Sequence, residues 1–140
     1  MAETITITAE AIKTPKYLFS QIIKVTIAWE GAAAGGAVTT TAFPTAAQKS
    51  LPGRSCVLAT TNPGAVAPTA AYDIEILDAL GVDIFGGALN NRSATANEQS
   101  QPLIGTSFYG PRLVADQLSF KLTGNSVNSA TGECVLYFEF

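Results

Sequence analysis

Asp73, Glu75, Asp78 and Asp83 are four of the chain's eleven acidic residues, and all four fall between positions 73 and 83. Clustered carboxylate oxygens can hold Ca²⁺, and two carboxylates can act as acid and base on a glycosidic bond. The spacing here lacks the alternating D-x-D-x-D-G of a calcium loop. Asp78-Ala79-Leu80-Gly81 instead has the form of a four-residue hairpin loop, with Asp78 as turn former and Gly81 where φ must be positive. Val82-Asp83-Ile84-Phe85 would then return antiparallel and bring Asp83 near the end of the first strand. Asp78, Gly81 and Asp83 are therefore assigned to a structural turn, with Asp73 and Glu75 as solvated residues of a strand. No metal and no cofactor is expected.

Other chemistry has little to build on. The sequence contains no histidine, which removes Ser-His-Asp and Cys-His catalysis and every imidazole-dependent zinc site. Cys56 and Cys134 are too few and too far apart in sequence for a CxxC centre and read as buried apolar residues. Neither Gly31 to Gly36 nor Gly86-Gly87 carries the Lys-Ser/Thr ending of a phosphate loop. Phe108 and Tyr109, beside Gly110-Pro111-Arg112, offer either a stacking platform for a sugar or a core or subunit-interface contact, and the second is the expectation. Eight basic residues against eleven acidic give 8 − 11 = −3. The basic residues stand singly, whereas a nucleic-acid footprint needs them clustered. The chain is not expected to be an enzyme or to bind nucleic acid.

The elements that position these residues show a hydrophobic period of two. From Tyr17, one side of an extended strand carries Tyr17, Phe19, Ile23, Val25, Ile27 and Trp29. Tyr72, Ile74 and Ile76 alternate with Asp73 and Glu75, and Leu118, Phe120 and Leu122 alternate with Gln117, Ser119 and Lys121. Such alternation buries one face only, the pattern of an antiparallel sandwich. Ile5 and Ile7 make a short Thr-rich strand, Cys56 to Ala59 a core strand, and Cys134 to Phe140 a final strand with Cys134, Leu136, Phe138 and Phe140 on one face. Turn signals stand at Gly35-Gly36, Asn62-Pro63-Gly64, Gly110-Pro111, Gly124-Asn125 and Thr131-Gly132, the second reading as a type II turn. Ala32 to Lys49 reads as a long loop with one helical turn near Thr45 to Lys49, and Gly86 to Pro102 as an extended surface loop suited to a partner. The fold class is thus all-β: one antiparallel β-sandwich domain over 1–140, with long Gly/Ala/Thr-rich loops and 1–16 as an N-terminal arm. No apolar run approaches the roughly 18 residues that span a bilayer, and Met1-Ala2-Glu3-Thr4 lacks the features of a signal peptide. A soluble chain made in a cytoplasm, without a membrane partner, is expected.

The run Asn62-Pro63-Gly64, Pro68-Thr69, Tyr72-Asp73-Ile74-Glu75-Ile76-Leu77-Asp78, then Gly81-Val82-Asp83-Ile84 through Gly87 to Asn91-Arg92-Ser93 resembles small virion proteins of tailed bacteriophages. The similarity is clearest from Asn62 to Pro102, with a looser match at Thr26-Ile27-Ala28-Trp29 and Gly132 to Tyr137. The resemblance implies a decoration or cement protein with a jelly-roll-like β-sandwich, carried on the capsid surface of the virion, with the major capsid protein as partner and no catalytic residues to carry over. Ile5, Ile7, Asn91, Arg92, Phe108 and Tyr109 are the candidate partner contacts, and a homo-oligomer, preferably a dimer, is expected. A tail or head-to-tail joining component, a carbohydrate-binding β-sandwich module and a carboxylate-pair hydrolase stand as the alternatives.

Overall fold

The computed structural model describes residues 3–13 and 21–140. Its strands are β1 (Thr4–Lys13), β2 (Gln21–Glu30), β3 (Thr41–Ala42), β4 (Ser55–Pro63), β5 (Asp73–Leu77), β6 (Glu98–Ser100), β7 (Leu103–Ile104), β8 (Phe108–Tyr109), β9 (Arg112–Leu113), β10 (Ser119–Thr123) and β11 (Thr131–Glu139), with one short helix, α1 (Thr45–Ser50). The larger sheet runs β1-β2-β11-β4-β6, with β9 also on β4, and the smaller runs β3-β10-β5. Every strand pairing is antiparallel. The molecule is an all-β sandwich.

Period-two alternation does the packing. Ile23, Val25, Ile27 and Trp29 of β2 lie beside Cys134, Leu136 and Phe138 of β11 and Cys56 and Ala59 of β4 on one inner face. Ile74 and Ile76 of β5 with Phe120 and Leu122 of β10 supply the other, and Phe43, Ala47, Leu51, Tyr72, Phe85 and Leu89 from connecting segments complete the core. β-Branched and aromatic side chains dominate the strands because they pack well on a pleated, half-buried surface. Cross-strand ion pairs on the solvent faces reinforce the register: Lys121 Nζ lies 3.0 Å from Glu75 Oε2, and Lys24 Nζ lies 3.9 Å from Glu10 Oε1.

Several sequence expectations are corrected. Asn62 and Pro63 do not form a type II turn; they complete β4, and Gly64, which does not have positive φ, donates its N–H to Thr131 O at 2.8 Å. Thr131-Gly132 is not a turn either, because β11 begins there. The Trp29 indole covers the α-carbon of Gly132, and a β-carbon would sit only 3.0 Å from Nε1. A local turn signal loses here to a long-range packing demand. Phe140 falls just beyond β11 and is 78% exposed, its ring 4.1 Å from the Arg54 guanidinium carbon rather than in the core. The segment expected as an arm is paired along Thr4–Lys13 with β2, and Ile5 and Ile7 pack against the core. The strand read from Tyr17 is seen from Gln21, since positions 17–20 lie outside the described residues. Within Gly86 to Pro102 a short strand, β6, pairs with β4.

Candidate functional site

The acidic cluster is a set of loop braces. Asp78 Oδ1 accepts the N–H groups of Leu80 and Val82, each at 2.9 Å, and Gly81, at φ 81°, donates to Asp78 O at 3.0 Å. Asp116 Oδ1 accepts the Ala79 N–H at 3.1 Å, docking the turn onto the segment before β10. Asp73 Oδ1 accepts the N–H of Asn91 at 2.8 Å. Asp83, assigned with Asp78 and Gly81 to the turn, lies just past it, where one bridge, Leu77 to Asp83, continues the hairpin. Its half-buried carboxylate accepts three backbone N–H groups, from Ile76 at 3.1 Å and Phe85 at 3.0 Å on Oδ1, and from Gly87 at 2.9 Å on Oδ2. A carboxylate satisfies three donors at once because each oxygen has two lone pairs. Among the described residues no group of three or more His, Cys, Asp or Glu side chains is placed to hold a metal ion.

The brace at Asp83 leads to the exposed surface. Phe85 O accepts the Leu103 N–H at 2.9 Å, tying the first strand of the β7–β8 hairpin to the Asp83 loop, and Gly110 donates to Pro102 O at 3.0 Å, closing the base of the hairpin itself. Beyond that anchor the hairpin stands in solvent. Phe108 is 76% exposed and Tyr109 60%, with Ile104 and Leu113 also exposed. Of the expected core or subunit-interface contact, this exposure removes the core form. Ile104 lies opposite Phe108, and Leu103 opposite Tyr109. Successive strand residues point to opposite sides, so Phe108 with Ile104 makes one apolar face and Tyr109 another. Among the described residues, no chain segment pairs with this hairpin outside its own two strands.

The other candidate contacts differ from these. Asn91 is exposed, with φ 56° in the left-handed region and its backbone N–H held by Asp73. Arg92 is turned inward: its Nε and Nη2 donate to Asn90 O at 3.2 and 3.1 Å, and Nε lies 4.0 Å from Glu98 Oε1. Glu98 in turn accepts the Ser93 N–H, so Arg92 braces its own loop. Ile5 and Ile7 lie on the inner side of β1, bordering a shallow depression with Thr41, Ala42 and Pro44.

No family model, curated protein or solved structure matches the chain. The surface is therefore read from its own chemistry. Cys56 and Cys134 are free and buried, and burial pushes both thiols up, Cys134 to about 12, away from the reactive thiolate form. Tyr72 is buried beside Trp29, ring centroids 5.8 Å apart, and neither the Tyr72 hydroxyl nor the Trp29 Nε1 has a hydrogen-bond partner among the described residues. No helix among the described residues is long and apolar enough to cross a membrane. What sequence reasoning missed is the anchoring role of Asp83. Its local signal is the pair of N–H donors two and four residues downstream, while the Ile76 donor shows only once the strands are placed.

Proposed function

We propose that the chain is a structural virion protein, a decoration protein that binds the outer surface of a tailed-phage head and stabilises it through contacts with the major capsid protein. The observation that carries this reading is the exposed apolar hairpin of Ile104, Phe108 and Tyr109, tied through Leu103 to the Asp83-braced loop. Large apolar side chains grouped in solvent are characteristic of a surface that becomes buried on association. The acidic cluster supports the same reading, since its carboxylates are engaged in bracing loops rather than facing one another as an acid and base pair. Asp83 and Phe85, which hold the foot of this hairpin, lie within the Asn62 to Pro102 stretch where the resemblance to phage virion proteins is clearest. A sugar platform is less well supported, because Phe108 and Tyr109 project to opposite sides of the hairpin instead of presenting one flat surface.

The test is co-sedimentation with phage shells stripped of small surface proteins. The wild-type chain is expected to pellet in many copies per shell. A Phe108→Ser/Tyr109→Ser chain should stay in the supernatant while melting as the wild type does, because exposed positions carry little folding energy. Failure of the wild type to pellet, or pelleting of the double variant at the wild-type level, refutes the reading. A copy number of only a few per particle moves the chain to the head-to-tail junction.

A further inference from the structure

The edges of the two sheets are not equally protected. β6, β9 and β3 are two or three residues long. β5 is covered on its outer edge by the loop that follows it, through Ile84 N–H to Ile76 O, Ile74 N–H to Leu89 O and Arg92 N–H to Tyr72 O. β1 is ten residues long and pairs with β2 from Thr4 to Lys13 without a bulge, yet no strand among the described residues pairs with its other edge. A long, regular strand edge with no proline is a template for a further strand. Its inner face is also unfinished. Ile5 and Ile7 are half-buried, whereas Ala9 and Ala11, on the same side, are exposed above a shallow depression bordered by Ile23, Ala46 and Ser50.

We propose that β1 pairs antiparallel with β1 of a second copy about a twofold axis through Thr8, joining the two larger sheets into one. The sequence is complementary to itself in this register. With Thr8 opposite Thr8, Ile7 meets Ala9 and Ile5 meets Ala11, so each copy's isoleucines cover the other's exposed alanines. Glu3, just before the strand, takes the register position opposite Lys13. Shifting by one residue would set inner-face residues against outer-face ones and separate the two apolar sides. Twofold closure uses the same surface on both chains and leaves no new edge for further growth. The proposal stands independently of the capsid reading.

Analytical ultracentrifugation of the full chain should show a dimer. Thr8 is exposed in the single chain, and opposed residues of an antiparallel pair lie within disulfide range. The Thr8→Cys chain should therefore cross-link to a covalent dimer on mild oxidation, the native cysteines being buried. The Thr4→Cys chain, placed opposite Ile12, should not. Ala9→Glu, at an exposed position that the fold tolerates, should weaken dimerisation by roughly a hundred-fold by setting a carboxylate against Ile7. A monomeric wild type overturns the proposal, as does a dimer that survives Ala9→Glu or one that fails to cross-link through Thr8→Cys. A monomer that still pellets with shells overturns this proposal and leaves the capsid reading standing. A dimer with the expected cross-link that ignores shells does the reverse.

Discussion

Replacing Asp83 with alanine strips the acceptor from three backbone N–H groups at once, those of Ile76, Phe85 and Gly87. An orphaned N–H costs about 1–3 kcal/mol when fully buried. Asp83 is half-buried and water can reach part of the site, so the lower figure applies and the sum is about 3 kcal/mol. For a chain of this size that corresponds to a fall in Tm of roughly 10 °C. Asp83→Asn keeps the oxygen that serves Ile76 and Phe85 but turns an amide toward the Gly87 N–H, so it should lose about 1–2 kcal/mol. Gly81→Val forces a β-branched residue to φ 81° with open space around its β-carbon, a backbone cost of about 1–2 kcal/mol. The sequence alone suggests that Gly81 matters more than Asp83, and the structure reverses that order. Thermal and urea denaturation followed by circular dichroism measure all three variants. Hydrogen exchange at the Leu103 N–H reports whether the hairpin foot loosens with the loop. If Asp83→Ala stays within about 0.5 kcal/mol of wild type, the three hydrogen bonds are exchanged for water at no net cost and the bracing argument fails.

Two further outcomes are expected. Gly132→Ala drives a β-carbon into the Trp29 ring and should destabilise by about 2–3 kcal/mol with a shift in tryptophan emission, and unchanged emission and Tm would show that the indole moves aside freely. Burial, with the neighbouring Cys134 next, holds the Tyr72 hydroxyl up from 10.0 to about 12, and burial raises both cysteine thiols from 9.0. The folded chain keeps protons that the unfolded chain releases, so stability is full below about pH 9 and falls as pH rises toward 12. Tyr72→Phe, which removes an unpaired buried hydroxyl, should flatten the part of that fall above pH 10, and a Tm independent of pH from 8 to 11 would contradict it.

The strands that form the core were legible because their burial is one-sided: Ile23 to Trp29, Ile74 to Ile76 and Phe120 to Leu122 alternate in sequence as they do in space. The turn at Gly81 was legible for a local reason, since only its own backbone decides it. What escaped were residues whose role is fixed from elsewhere. Gly132 looks like half of a turn until Trp29 is laid across it, and Asn62-Pro63 looks like one until β11 is aligned beside β4. The full length of β1 was hidden because its inner positions shrink from Ile5 and Ile7 to Ala9 and Ala11, side chains too small to signal burial, and Ile12-Lys13 then reverses the alternation. At the candidate site, the aromatic pair was visible in the sequence but its exposure was not, because a Phe-Tyr dipeptide reads equally well as core.

The place of β11 between β2 and β4 has a consequence for how the chain acquires its shape. Those two neighbours lie far upstream, and neither pairs with the other, so the larger sheet has no continuous hydrogen-bonded path until β11 is inserted. Formation of that sheet must wait for contacts between distant segments, which slows the search and concentrates it in one late, cooperative step. A nascent chain that has emerged through β10 but not β11 carries two half-made sheet fragments, each with an open inner margin and an uncovered apolar side. The insertion of β11 thus joins two otherwise separate halves of the larger sheet in a single act.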